Sequence, residues 1–189
     1  MNREDWLKAG MVALRAHFAT CGYTVPDNVR ATCGFPSRGA LSARKRTIGQ
    51  CWDQEASAGA VFEVFISPVV ADSCEVLAIL AHELVHATVG LKAGHGKAFK
   101  QCATAIGLAG KMTSTTAGES FKRYASDLAG RIGEYPHAKL DPRVGVKKQS
   151  TRLIKCACEE CGYTVRVART WLENAGAPIC PLDKQSMSY

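Results

Sequence analysis

The chain has 189 residues, 47% hydrophobic and 22% charged, with 24 Lys and Arg against 17 Asp and Glu for a formal net charge of +7. That length allows one sizeable core with a small appendage, not two full domains, and the composition excludes a wholly disordered chain. The longest apolar run, near Val76 to Leu80, falls far short of the roughly 20 residues a bilayer crossing needs, and the acids in Met1-Asn2-Arg3-Glu4-Asp5 do not suit an export signal. The expectation is a cytoplasmic protein without a membrane partner.

From Arg3 to Cys21, Trp6, Met11, Leu14 and Phe18 recur at helical spacing and Gly22 stops the pattern, which predicts an opening amphipathic helix. Pro26, Pro36 and Pro68 punctuate three stretches rich in strand formers, Val29 to Phe35, Thr47 to Trp52 and Val61 to Ser67, read as short antiparallel strands. The link between the first two carries Arg38, Arg44, Lys45 and Arg46, and no acid occurs from Asn28 to Trp52, which makes a local basic patch. Asp72 with Glu75 resembles a capping box, and Val76, Leu77, Leu80, Leu84 and Val85 continue an apolar helix face toward Gly90. A glycine-punctuated loop to Gly96 leads into a predicted helix from Lys97 to about Leu108. After a Thr/Ser tract at Thr113 to Thr116, another helix is predicted from Gly118 to Ile132, ending at Gly133 and Pro136. The stretch to Ser150 reads as a linker, with Pro142, Gly145, Lys147 and Lys148.

His82-Glu83-Leu84-Val85-His86 is an H-E-x-x-H motif on the central predicted helix. Residues four apart share a helix face, so His82 and His86 can direct two imidazoles at one metal while Glu83 reaches its bound water. Zinc with three protein ligands and an open position acidifies that water, and Glu83 would carry the proton to a leaving amine. His95 is the third ligand by this reading, because glycines at 90, 94 and 96 permit a reversal back over the helix and Phe99 can anchor the next helix in the core.

Nine cysteines is an odd number, which disfavours a disulfide framework. Cys21, Cys33, Cys51, Cys74 and Cys102 lie singly among apolar neighbours and read as small buried hydrophobes. Cys156, Cys158, Cys161 and Cys180 crowd the last quarter. Cys158-Glu159-Glu160-Cys161-Gly162 has the form of a zinc knuckle, and Cys180 comes after it at a zinc-site interval. The fourth ligand is open between Asp183, where a second cysteine would stand, and Cys156. Arg152 to Cys156 and Tyr163 to Val167 read as a hairpin too small to hold itself without a metal. Its bases Arg152, Arg166 and Arg169, with Lys147 and Lys148 before it and Tyr163 and Trp171 nearby, suit phosphate contact and base stacking.

Taken together, His82-Glu83-Leu84-Val85-His86, His95-Gly96 with Phe99, and the Cys158-x-x-Cys161-Gly162-Tyr163 tail resemble the SprT-like family, which includes the Spartan DNA-protein crosslink proteases. The likeness runs from about Trp6 to Met187, and the small size and tail look most like prokaryotic or phage-encoded members. It implies an α+β fold with a zincin-like metallopeptidase body over 1–138, a linker over 139–150 and a zinc-ribbon module over 151–189. It further implies a catalytic zinc on His82, His86 and His95, Glu83 as general base, a structural zinc on the tail, and an edge strand near Phe62 to Ser67 for the substrate peptide. The expected protein is a monomeric zinc endopeptidase acting on DNA-associated proteins, bound to DNA through its basic patches, in the cytoplasm of a cell or of a phage's host. The alternative is a zinc-containing nucleic-acid-binding or regulatory protein with little peptidase activity.

Overall fold

The computed structural model describes residues 1–42, 45–144 and 152–189. Arg44, Lys147 and Lys148, assigned above to basic patches, lie outside the described residues. The chain is a mixed α+β protein that divides into two compact units, Met1–Val144 and Gly145–Tyr189. The division falls within the stretch read as a linker. Leu140 still belongs to the larger unit, where its N–H donates to the Pro68 carbonyl at 2.9 Å.

In the larger unit, α1 (Arg3–Thr20) starts where the Asn2 side chain accepts from the Asp5 N–H, and it buries Trp6, Leu7, Met11, Leu14 and Phe18. Strands β1 (Val29–Cys33), β2 (Gly49–Trp52) and β3 (Phe62–Ile66) form one sheet in the order β1-β3-β2. The sheet is mixed rather than antiparallel: β2 and β3 form an antiparallel pair, whereas β1 runs parallel to β3. The reason is topological. The short Asp53–Val61 connection returns β3 antiparallel alongside β2, and β1 pairs on the far side of β3 rather than on the open side of β2. Strand β3 is therefore central, with Phe62, Val64 and Ile66 buried on one face. It cannot serve as the edge near Phe62 to Ser67 that the family likeness implies; the edges are β1 and β2.

Helix α2 (Ser73–Val89) is capped by Asp72, whose carboxylate accepts from the Glu75 N–H at 2.8 Å. It packs against α1, β2, β3 and three later elements: α3 (Lys97–Ala105), β5 (Ser114–Ala117) and α4 (Glu119–Ile132). So many neighbours require an apolar surface nearly all round, and Val76, Leu77, Leu80, Leu84 and Val85 are completely buried. The stretch after α3 departs from the helical prediction. Helix α3 stops at Ala105, and β4 (Leu108–Lys111) pairs antiparallel with β5 through the turn at Met112 and Thr113. Gly107 at φ +93° ends the helix, and the β-branched threonines of the Thr/Ser tract favour a strand.

In the smaller unit, β6 (Leu153–Ala157) and β7 (Thr164–Ala168) form an antiparallel hairpin that leads into a short α5 (Arg169–Ala175), a helix that the sequence reading does not include. Ser188 bridges to Ala157, so the chain end lies along β6. The core here is Cys156, Cys158, Leu172, Cys180 and Met187. Of the five scattered cysteines expected to be buried, Cys102 is, while Cys21, Cys33, Cys51 and Cys74 are half-buried. Among the described residues no helix is long and apolar enough to cross a membrane.

Because Leu80 lies at the centre of α2 with no exposure, Leu80→Ala is expected to cost about 2–5 kcal/mol. A fall of that size in the unfolding free energy of the larger unit, from urea titration, checks the placement of α2.

Candidate metal centres

The helical period of α2 puts His82 and His86 one turn apart on one face, and the Gly90 to Gly96 turn returns His95 to meet them. Gly90 and Gly94 take φ of +81° and +50° in that turn. His95 Nε2 lies 3.3 Å from His82 Nε2 and 3.2 Å from His86 Nε2. Tetrahedral ligands at zinc–nitrogen distances of about 2.0–2.1 Å stand about 3.3 Å from one another, so these nitrogens fit one ion. Phe99, fully buried at the start of α3, has its ring 4.5 to 4.9 Å from all three imidazoles and forms their floor.

Burial, together with the neighbouring imidazoles, pushes His82 down to about 3 and His86 down to about 4, and burial also lowers His95. All three rings are therefore neutral at physiological pH, the form in which an imidazole offers a lone pair to a metal. His82 Nδ1 is 2.8 Å from Thr115 Oγ1, a contact that sequence reasoning missed because the Thr/Ser tract carries no motif.

Glu83 does not join the converging group. One residue around the helix, it turns toward β2 and is only 6% exposed. Burial pushes it up to about 8, and the hydrogen bond from the Cys51 backbone partly opposes that rise. Strand β2 lies so close that a Cβ at Gly49 would sit 2.4 Å from Glu83 Oε1 and 2.6 Å from Ile79 Cγ2. The glycine is there for space. Cys51, on the same strand, is pushed up to about 12 by burial and by the Glu83 and Asp53 charges, so its thiol stays protonated.

In the smaller unit, Cys158, Cys161, Cys180 and Asp183 come together, with one ligand atom from each lying within 4.8 Å of the others. Cys161 Sγ is 3.5 Å from Cys180 Sγ, and Asp183 Oδ2 is 3.2 and 3.4 Å from the Cys158 and Cys180 sulfurs. These separations approach the roughly 3.6–3.8 Å that zinc–sulfur and zinc–oxygen bonds of about 2.3 and 2.1 Å imply. The backbone explains why aspartate can occupy that place. The Gly162 N–H donates to the Cys158 carbonyl at 3.0 Å with Gly162 at φ +74°; the Lys184 N–H donates to the Cys180 carbonyl at 3.0 Å with Lys184 at φ +59°. Cys158-x-x-Cys161 and Cys180-x-x-Asp183 are thus the same turn made twice, and Lys184 accepts a conformation costing a side-chain-bearing residue about 1–2 kcal/mol. The backbone N–H of Asp183 holds the Cys180 thiol below its usual range, while the Asp183 carboxylate pushes Cys161 up to about 12. Cys156, the other candidate for the fourth position, is fully buried in the small core and stands outside the group.

The basic residues stand in two places. Arg38 and Lys45 are exposed in the larger unit, where Arg46 is half-buried with its Nε donating to the Ser42 carbonyl. In the smaller unit Arg152, Lys155, Arg166 and Arg169 are exposed, and Lys155 faces Arg166 directly across the hairpin. Like charges opposed on one face are unfavourable, and among the described residues no acid pairs with them.

No protein-family model, curated protein or solved structure matches the chain. Two outcomes check the geometry. Gly49→Ala is expected to destabilise by about 1–3 kcal/mol in urea titration, because the added methyl collides with Glu83. Asp183→Ala is expected to weaken Co2+ uptake at the cysteines by more than about tenfold, while Asp183→Cys retains it, read from sulfur-to-metal charge transfer.

Proposed function

We propose that the chain is a zinc-dependent endopeptidase of the SprT-like kind, with a zincin-like body and a structural zinc ribbon, acting on proteins associated with DNA. The observation that carries this reading is the convergence of three imidazoles, His95 Nε2 standing 3.2 and 3.3 Å from the Nε2 atoms of His86 and His82, beside the glutamate of an H-E-x-x-H helix. His82, His86 and His95 would hold the ion, whose contribution when bound is Lewis-acid activation of water and of the scissile carbonyl.

The remaining work falls to the chain. Glu83 takes a proton from the attacking water and delivers it to the leaving amine nitrogen, the two transfers that a positioned carboxyl performs. Gly49 and the Cys51 backbone hold that carboxyl in place. Strand β2, the sheet edge beside Glu83, is the strand along which an extended substrate lies. Cys158, Cys161, Cys180 and Asp183 would hold the second ion, which contributes folding energy to the small unit rather than chemistry. Exposed Arg152, Lys155, Arg166 and Arg169, with Tyr163 and Trp171, supply phosphate contact and stacking surfaces for DNA.

The opposed Lys155 and Arg166 favour one second reading, a nucleic-acid-binding protein whose peptidase-like body hydrolyses little. The test is cleavage of a DNA-binding protein by the full chain, with and without single- or double-stranded DNA. Glu83→Gln should keep its metal and lose about 10²–10⁴-fold in rate. Undiminished cleavage by that variant overturns the role of Glu83. Salt-sensitive DNA binding without cleavage under any of these conditions selects the second reading.

A further inference from the structure

His82 has its two ring nitrogens on different duties. Nε2 faces the centre, 3.3 Å from His95 Nε2, while Nδ1 lies 2.8 Å from Thr115 Oγ1. Among the described residues, His86 and His95 show hydrogen-bond partners only at Nε2. A neutral imidazole carries one N–H and one lone pair, so whatever holds the proton at one nitrogen decides where the lone pair points.

The β4–β5 hairpin is built to hold Thr115 there. Strand β5 packs on α2, and its alternation puts half-buried Thr115 and Ala117 on one face with Ser114 and Thr116 exposed on the other. Across the hairpin Thr115 pairs with Gly110. A β-branched residue has a restricted χ1, so the backbone sets the direction of Oγ1.

We propose that Thr115 is the positioning residue for His82: its hydroxyl accepts the Nδ1–H, fixing the ring so that the Nε2 lone pair faces the metal. This rests on reading the histidine group as a metal site. A hydroxyl achieves the orientation without adding a negative charge beside the ligand, as a carboxylate partner would.

The test uses the full chain as wild type, Thr115→Val, which keeps the shape and removes the acceptor, and Thr115→Ser, which restores it. In metal-free protein at neutral pH, nitrogen NMR of the imidazoles should show His82 as the Nδ1–H tautomer in wild type and Thr115→Ser. Thr115→Val should lose that preference. Co2+ binding at the histidines, distinguished by its lack of sulfur-to-metal charge transfer, should weaken by about 10–100-fold in Thr115→Val and recover in Thr115→Ser. An unchanged tautomer and affinity in Thr115→Val overturns the proposal, as does a wild-type His82 protonated at Nε2. A fixed tautomer in a protein that takes up no Co2+ at its histidines overturns the metal reading alone.

Discussion

Three imidazole nitrogens aimed at one point are a conflict that the protein has to hold in place. Each neutral ring brings one N–H and one lone pair, and protons alone serve three converging Nε2 atoms poorly when that of His95 stands 3.2 and 3.3 Å from the other two. Protonation offers little relief, because burial and the neighbouring rings depress His82 and His86 far below the usual histidine range. The tension is sustained by the apolar packing of α2, whose leucines and valines lock into every neighbour while the two histidines stand on its more open side. Phe99 beneath the rings prevents their turning away.

That packing also explains which features are legible in the sequence. The spacing of His82 and His86 is a property of any α-helix, and the cap and apolar face identify the helix, so the pair and Glu83 are local information. His95 is legible because glycines mark its turn. The partners that orient these groups are not local. Thr115 acts across a hairpin whose strand character is hidden in a polar tract, and Gly49 matters only because α2 passes within contact of β2. The parallel pairing of β1 with β3 is hidden for the same reason: it depends on which side of the β2–β3 pair takes β1, and alternation along a strand is silent about its neighbour.

The two units differ in what can hold them together. The larger has an extensive aliphatic and aromatic core, whereas among the described residues of the smaller three of the five in its buried core are cysteines, with Leu172 and Met187 adding conventional apolar burial. So small a core contributes little against the conformational entropy of the ordered chain. An ion held by Cys158, Cys161, Cys180 and Asp183, as proposed, would supply the cohesion that this core lacks.

The repeated turn of that group has a consequence for how such a unit can change over time. Its shape is written in the backbone, as one N–H to carbonyl bond and one left-handed residue at Gly162 and again at Lys184. The last position of the first turn carries sulfur and that of the second carries oxygen on the same backbone. Sequence divergence can thus erase half of a cysteine signature while leaving the cage it described intact, and a spacing rule keyed to sulfur alone sees one turn where the chain makes two.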